Sequence, residues 1–324
     1  MQKIKKGIIN MNKISIIGTG SVGSTIAYTL TVMGIASEIV MIDINNEKAL
    51  GEAMDIRQGT PFCGACSIYA GTYRDAADSN IVILTSGVAR KAGQSRLELA
   101  QTNVDITKTI IPQITKYAPN AIYIIVSNPV DILTYTFHKF SDLPEKHIIG
   151  SGTILDTARL RARLSEYYNI NQTNVHAYVF GEHGDSSFVP WSVANISNVP
   201  IDECSSFIRA NGVELPPLDY EDVERYVRKS GGRVIERKGA TFYAVSISVC
   251  HICKRLLDGI DTTMTVSTMM HGEYGIDDVC LSTLNLVGRD GVCGKVNLTL
   301  TDDEVIKLRH SADTLKEVIR NLKI

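Results

Sequence analysis

No stretch of this chain approaches the roughly 20 apolar residues a helix needs to cross a bilayer, and the opening MQKIKKGIIN holds too short an apolar run for an export signal. Nor is there an excess of either charge: 33 Lys and Arg face 35 Asp and Glu, for a formal net charge of −2. A nucleic-acid surface needs a basic excess or stripe, so neither nucleic acid nor membrane is expected as a partner. Internal repeats and low-complexity linkers are also missing. Seven cysteines, at positions 63, 66, 204, 250, 253, 280 and 293, are an odd number scattered through a long chain. That is a poor disulfide framework and suits a reducing cytoplasm. Two pairs, Cys63/Cys66 and Cys250/Cys253, have the CxxC spacing of a zinc site. Yet the second pair sits inside ATFYAVSISVCHICKRLL, which reads as a long apolar helix, and neither pair has a glycine-rich knuckle or further ligands beside it. No metal is expected.

What is present is ordinary globular material. The 324 residues, 44% hydrophobic and 21% charged, suffice for one large or two modest domains with a substantial core. Through residue 151, short β-rich runs alternate with helical patterns. The strand candidates are KISIIG (13–18), EIVMID (38–43), NIVILTS (80–86), AIYIIVS (121–127) and HIIGS (147–151), with helical spacing over 21–33, 46–57, 97–117 and 129–140. Ile and Val without polar alternation mark strands covered on both faces, as in a parallel sheet. Strand–helix–strand units in series predict an α/β fold with a doubly wound parallel sheet, the Rossmann arrangement.

After residue 151 the style changes. A helix over 153–168 leads into NVHAYVFGEHGDSSFVPWSVANI, which alternates like paired antiparallel strands broken by Gly and Pro. Helices are expected at 220–237 and 240–258, then strands in DDVCLSTLNLVG and GVCGKVNLTL. The closing TDDEVIKLRHSADTLKEVIRNL has a Thr cap, an acidic first turn and helical apolar spacing. The pattern divides the chain into a dinucleotide-binding domain over 1–150 and an α+β substrate domain over 151–324.

The nucleotide signal lies in ISIIGTGSVGSTIAYTL, where Gly18-x-Gly20-x-x-Gly23 follows a strand and opens a helix. Gly18 permits the tight turn, Gly20 lets a pyrophosphate approach the backbone, and Gly23 lets helix and strand pack closely; the helix N-terminus then faces the phosphates. Asp43 ends the next strand twenty residues beyond Gly23. A carboxylate there accepts hydrogen bonds from both ribose hydroxyls and repels a 2′-phosphate, which favours NAD over NADP.

Oxidising an alcohol with a nicotinamide requires a protein group that takes up the proton, and histidine titrates in the right range. Of seven histidines, His251 and His310 fall on helices and read as structural, whereas His183 in GEHGD is flanked by glycines at a strand end. In GSGTILDTARLR, Asp156 and Arg159 are three apart and share a helix face. They form either a surface ion pair worth a few tenths of a kcal/mol at most, or two separate tools. In the second case Asp156 orients the His183 imidazole, and Arg159 clamps a substrate carboxylate. The spacing alone leaves both open.

These residues carry a resemblance. The glycine motif with Asp43, SNPVDILTY, GSGTILDTARLR, GEHGDSSFVPWS, KGATFYAVS and EYGIDDVCLSTLNLVGRDGV, in that order from about residue 12 to the end, are similar to the L-lactate/malate dehydrogenase family. The resemblance implies NAD as cofactor, a small 2-hydroxy or 2-oxo acid as substrate, and assembly into a homotetramer or dimer. It makes His183 the acid/base, Asp156 its partner, Arg159 the carboxylate clamp and Asn128 the donor to the substrate oxygen. It adds Val22, Ser86, Gly87, Asn103, Val126, Asn128 and Ser151 to the cofactor contacts and Thr241 to the substrate pocket.

The family's substrate lid corresponds to GVARKAGQSR (87–96), with Gly87 and Gly93 as bending points. Arg96 would polarise the reacting carbonyl, and Arg90 would face the substrate's side chain. Lactate-type relatives usually have glutamine where Arg90 stands, and malate-type relatives have arginine. A guanidinium matches the second carboxylate of oxaloacetate, whereas closing it over a methyl group leaves a buried charge unmatched at about 3–5 kcal/mol. Malate/oxaloacetate is therefore the expected pair, with lactate/pyruvate the alternative, on an otherwise lactate-type body. The positions of a sugar-bisphosphate subunit site appear as Thr173 and Val193, so activation by such an effector is not expected. A non-catalytic NAD sensor is a further alternative, one that has no need of a proton acceptor.

Overall fold

Five Ile- and Val-rich runs fold as expected into parallel strands, and a sixth joins them. The computed structural model describes residues 12–88, 95–204 and 216–324. Strands β1 (Lys13–Ile17), β2 (Glu38–Ile42), β3 (Ser67–Ala70), β4 (Ile81–Leu84), β5 (Ile122–Ile125) and β6 (Ile148–Gly150) lie in the order β3-β2-β1-β4-β5-β6. β1 pairs with β2 on one side and β4 on the other, so the strand order reverses there. Alternate side chains feed two cores. Ile17, Val40, Val82 and Ile125 face one, together with Val104 and Ile111 of α3 (Arg96–Tyr117) and Leu133 and Phe137 of α4 (Val130–Phe140). Ile16, Ile39, Ile83 and Ile124 face the other, where Ile26 and Leu30 of α1 (Ser21–Val32) and Ala53 and Ile56 of α2 (Asn46–Gly59) pack. Burial on both faces is why the runs lack polar alternation.

The sheet does not stop near residue 150. β10 (Thr262–His271) runs antiparallel to β6 through the pair Ser267 and Gly150, and β11 (Asp277–Gly288) and β12 (Gly291–Lys295) extend it to nine strands. Helices α5 (Ile154–Tyr168), α6 (Tyr220–Lys238), α7 (Tyr243–Asp258) and α8 (Asp302–Arg320) complete the second half. Thr301 caps α8, as the sequence predicts, and Glu304 answers with a reciprocal capping box.

Three expectations need correction. β3 and β10 are absent from the sequence reading, because SIYA is only four residues long and TTMTVSTMMH buries Thr265, Ser267 and Thr268 beside its methionines. A central strand that buries hydroxyls has no hydrophobic alternation to detect. The stretch after Asn174 forms little regular sheet: β7 (Val175–His176), β8 (Asn195–Ile196) and β9 (Val199–Pro200) make a small ladder, with an isolated Phe180–Phe188 pair between them. Finally, Cys250 and Cys253 are fully buried on α7, but His251 lies exposed on its other side rather than in the core.

Candidate active site

The glycine turn sits where the strand order reverses, at the carboxyl ends of β1 and β4, the position at which open α/β sheets bind ligands. Gly18 has φ +96°, and a Cβ there would lie 2.7 Å from the Ser86 nitrogen. A Cβ on Gly23 would lie 1.9 Å from the Gly18 carbonyl oxygen, so α1 packs against the turn with no room for any side chain. Gly20, by contrast, faces open space and caps α1 without a side-chain hydrogen bond. The cradle therefore fits a pyrophosphate: first-turn N–H groups with no partner among the described residues, a positive helix end and, at Gly20, open space. Asp43 accepts from the Thr19 N–H at 2.6 Å and hydroxyl at 3.1 Å, and from the Asn45 N–H at 2.9 Å. Burial alone would raise its carboxyl, but these donors hold it below the usual carboxylate value, so it presents a fixed negative charge beyond β2. Thr85, which the sequence reading passes over, locks the turn by donating its hydroxyl to the Gly18 carbonyl at 2.7 Å.

A cleft of about 600 Å³ runs on from this end. Val22, Gly87, Asn103, Val126 and Asn128 line one part of it, and Asp156, Arg159, His183 and Thr241 another. Gly18, Gly20, Gly23, Asp43, Ser86 and Ser151 are not on its walls. Gly18, Gly20, Gly23 and Asp43 form the shelf beyond it, the Ser86 hydroxyl is buried with no partner among the described residues, and Ser151 is buried just after β6.

In the cleft, the Asp156 carboxylate is shared. Its Oδ2 lies 2.5 Å from His183 Nδ1, and its Oδ1 accepts from Arg159 Nη1 at 2.9 Å. The i,i+3 pair does form, but it is no surface pair, since the two side chains are 17% and 9% exposed. Burial opposes the charged imidazole, yet Asp156, its hydrogen bond and Asp131 outweigh it and hold the His183 pKa above the ordinary value. Burial likewise opposes the Asp156 carboxylate, but the facing His183 and Arg159 hold its pKa down. With Nδ1 engaged, Nε2 is the nitrogen left to meet a ligand. The other arm of the Arg159 guanidinium lies against Gly231 of α6, where a Cβ would approach Nη2 to 3.7 Å.

Asn103, predicted as a cofactor contact, spends its amide internally. It accepts from the Val88 N–H at 2.9 Å and donates to the Asn128 carbonyl at 2.8 Å, tying the root of the predicted lid to the SNP turn. Arg90 and Lys91 lie outside the described residues, as does the side chain of Arg96, whose backbone begins α3 behind the Ser95 cap. A second residue of the site, besides Thr85, goes unnoticed in the sequence reading. Asp131, 3% exposed in the first turn of α4, accepts from the His183 main-chain N–H at 2.7 Å. The available signal was an acid set directly in the apolar run Val130-Asp131-Ile132-Leu133.

A parallel sheet opening at its reversal point onto a carboxylate-backed histidine defines an NAD-dependent dehydrogenase that acts on the CH–OH group of 2-hydroxy acids. The chain belongs to the lactate/malate dehydrogenase family: residues 12–150 match its NAD binding domain and residues 153–323 its alpha/beta C-terminal domain. It is 44% identical to an L-lactate dehydrogenase of Thermoanaerobacter pseudethanolicus over 314 residues, which span 97% of this chain and all of that protein. An L-lactate dehydrogenase of Acetivibrio thermocellus is 43% identical over 321 residues, covering 97% of this chain and 98% of its own. Among solved structures, a lactate dehydrogenase from a Medee basin deep-sea metagenome library superposes with a TM-score of 0.93 at 37% identity, over 97% of this chain and 99% of that one.

Proposed function

We propose that the protein interconverts L-lactate and pyruvate. The observation that carries the reaction class is the buried Asp156 carboxylate joined to both His183 and Arg159 in one cleft. The curated relatives at 43–44% identity, all named L-lactate dehydrogenase, favour lactate. In this reading Arg159 holds the substrate carboxylate, Asn128 donates to the reacting oxygen and Arg96 polarises it. His183 takes the hydroxyl proton on Nε2 and returns it in the reverse direction, while Asp156 fixes the tautomer and steadies the imidazolium. Thr241 borders the substrate's side chain. Gly18, Gly20, Val22, Gly23, Asp43, Ser86, Gly87, Asn103, Val126, Asn128 and Ser151 form or support the NAD site. The bound nicotinamide supplies the hydride acceptor.

Arg90 supports a second reading, malate/oxaloacetate, because its guanidinium suits a second carboxylate. Steady-state kinetics on both oxo acids decides between them. A kcat/KM for pyruvate above that for oxaloacetate is expected, and the reverse order establishes the malate reading. Arg90→Gln should move preference further toward pyruvate. A wild type that oxidises no NADH with either oxo acid would leave only the sensor, whereas oxidation undiminished in His183→Ala would remove His183 as the proton carrier.

Assembly into a homotetramer, with a dimer as the smaller alternative, is part of the same proposal. Leu50 and Met54 of α2, Phe62, and Tyr243 and Ile247 of α7 are large apolar side chains left exposed on the single chain. No described helix is long and apolar enough to cross a membrane. A cytoplasmic location accords with all seven cysteines standing as free thiols.

A further inference from the structure

His183 sits in a loop closed at its neck by Phe180 and Phe188, which exchange main-chain hydrogen bonds at 2.9 and 3.1 Å. The incoming leg is pinned to the large sheet. Gly181 and Ser282 of β11 exchange hydrogen bonds at 2.9 and 3.0 Å, and the Glu182 N–H donates to the Ser311 hydroxyl of α8 at 2.7 Å. The outgoing leg is held differently, since Val189 to Trp191 lie in no strand. Ser187, Phe188 and Val189 are nonetheless buried, so their main-chain polar groups need partners from elsewhere. α6 provides them. Arg228 donates through Nη1 to the Ser187 carbonyl at 2.9 Å, while Glu224 Oε1 accepts from the Val189 N–H at 3.4 Å and the Trp191 indole N–H at 2.9 Å. Arg228 and Glu224, one turn apart, are joined at 3.0 Å. Trp191 also stacks on Tyr220 at the start of the same helix, with ring centroids 4.4 Å apart. From Ser192 onward α8 takes over, Glu304 accepting the Ser192 N–H at 2.9 Å.

The stripe on α6 continues past Arg228. Gly231, Gly232 and Ile235 line the cleft, with Gly231 against Arg159. One face of the helix thus holds the outgoing leg of the histidine loop with its first half and walls the cleft with its second. We infer that Glu224 and Arg228 are positioning residues, which set the His183 loop in register with the Arg159 end of the cleft through α6. The inference rests on the reading of His183 as the proton carrier and Arg159 as the carboxylate clamp. An i,i+4 pair on open surface would touch only itself. Here each partner also grips the main chain of another segment, and the side chains of Arg228 and Glu224 are 29% and 13% exposed. Glu224 is not on the cleft walls, so it reaches the reaction only by way of that loop. Proton transfer to the reacting oxygen depends steeply on where the imidazole stands, whereas the carboxylate contact at Arg159 does not pass through the loop.

Trp191 is the only tryptophan of the chain and reports on this contact directly. In the NAD-loaded protein, Glu224→Ala should shift its indole N–H resonance and quicken the exchange of that proton with solvent. Single-turnover oxidation of NADH should slow by about 10- to 100-fold at saturating pyruvate or oxaloacetate, whichever the wild type reduces faster. The half-saturating concentration should stay close to the wild-type value. Arg228→Met keeps the stem but loses the donor to Ser187, and should give the same split; if Glu224→Ala does not fold, it carries the same measurement. Glu224→Gln keeps an oxygen for the Val189 and Trp191 donors, and should retain most of the rate. All are compared well below their melting temperatures, which separates rate from stability.

A Trp191 released from α6 with an unchanged single-turnover rate would overturn the inference, as would a Trp191 resonance unmoved in Glu224→Ala. So would a loss seen only in the half-saturating concentration, or one as large in Glu224→Gln as in Glu224→Ala. If the wild type reduces neither oxo acid, the proposed function fails. His183 ring resonances that still shift when Glu224 is truncated then keep the coupling, and unmoved ones end it.

Discussion

The two ends of the cleft are built from different materials. The nucleotide end is made of backbone: a glycine turn, a capless helix start, and a carboxylate held by main-chain donors. The reaction end is made of side chains that grip one another, Arg159 to Asp156 to His183, with Asp131 behind. A ligand that always carries the same phosphates can be met by fixed N–H groups. A proton that must come and go needs groups whose charges depend on their neighbours. Damage should differ accordingly, by steric collapse at the first end and by loss of charge balance at the second.

Asp156→Asn tests the charge-balanced end most severely. It removes the anion shared by His183 and Arg159, and kcat should fall by about 10³- to 10⁴-fold, measured in steady state with NADH binding unchanged. Stability should respond with a definite sign. The His183 pKa is raised on folding, so its contribution is present at lower pH and lost as pH rises through the folded value. The Asp156 pKa is depressed, so its contribution is present at higher pH and lost as pH falls through the folded value. Their pair stabilises most between those limits, and thermal melts of His183→Gln against wild type should differ most in mildly acid buffer and converge toward alkaline pH.

Gly23→Ala tests the backbone end. A methyl placed 1.9 Å from the Gly18 oxygen must push α1 off the turn, and NADH affinity by fluorescence titration should weaken by about 100-fold. Unaltered affinity would show that the cradle is looser than drawn. Arg159→Lys keeps the charge but loses the planar fork; KM for the oxo acid should rise by about 10- to 100-fold. A pure kcat effect would instead place Arg159 in support of Asp156. Smallest is Gly232→Ala in the middle of α6, where an added Cβ meets nothing within 4 Å. Helix propensity alone should add about 1 kcal/mol of stability, read by denaturant melts. A loss would mean that the helix needs its flexibility.

This contrast also explains what could be read in advance. The cradle is local in sequence, so glycine spacing and the Asp43 offset reveal it from residues 18–43 alone. The parallel strands are equally legible because burial on both faces leaves a plain apolar run. The reaction end is drawn from residues 128–131, 156–159 and 183, and nothing in their spacing says that one carboxylate serves two partners. Only the resemblance joined them. Asp131 escaped because its partner is a main-chain N–H, which no residue type announces. β10 escaped because its buried Thr265, Ser267 and Thr268 hide an interior strand behind polar composition.

β6 is hydrogen-bonded to β5 on one side and to β10 on the other. The ladder is thus unbroken from the strand that ends at Asp43 to the one whose Ser267 donates to Asp131. A molecule braced this way shares one sheet between its glycine shelf and the strands beneath the His183 end of the cleft. The separation between the glycine turn after β1 and the start of α5 after β6 is thus carried by continuous backbone hydrogen bonding.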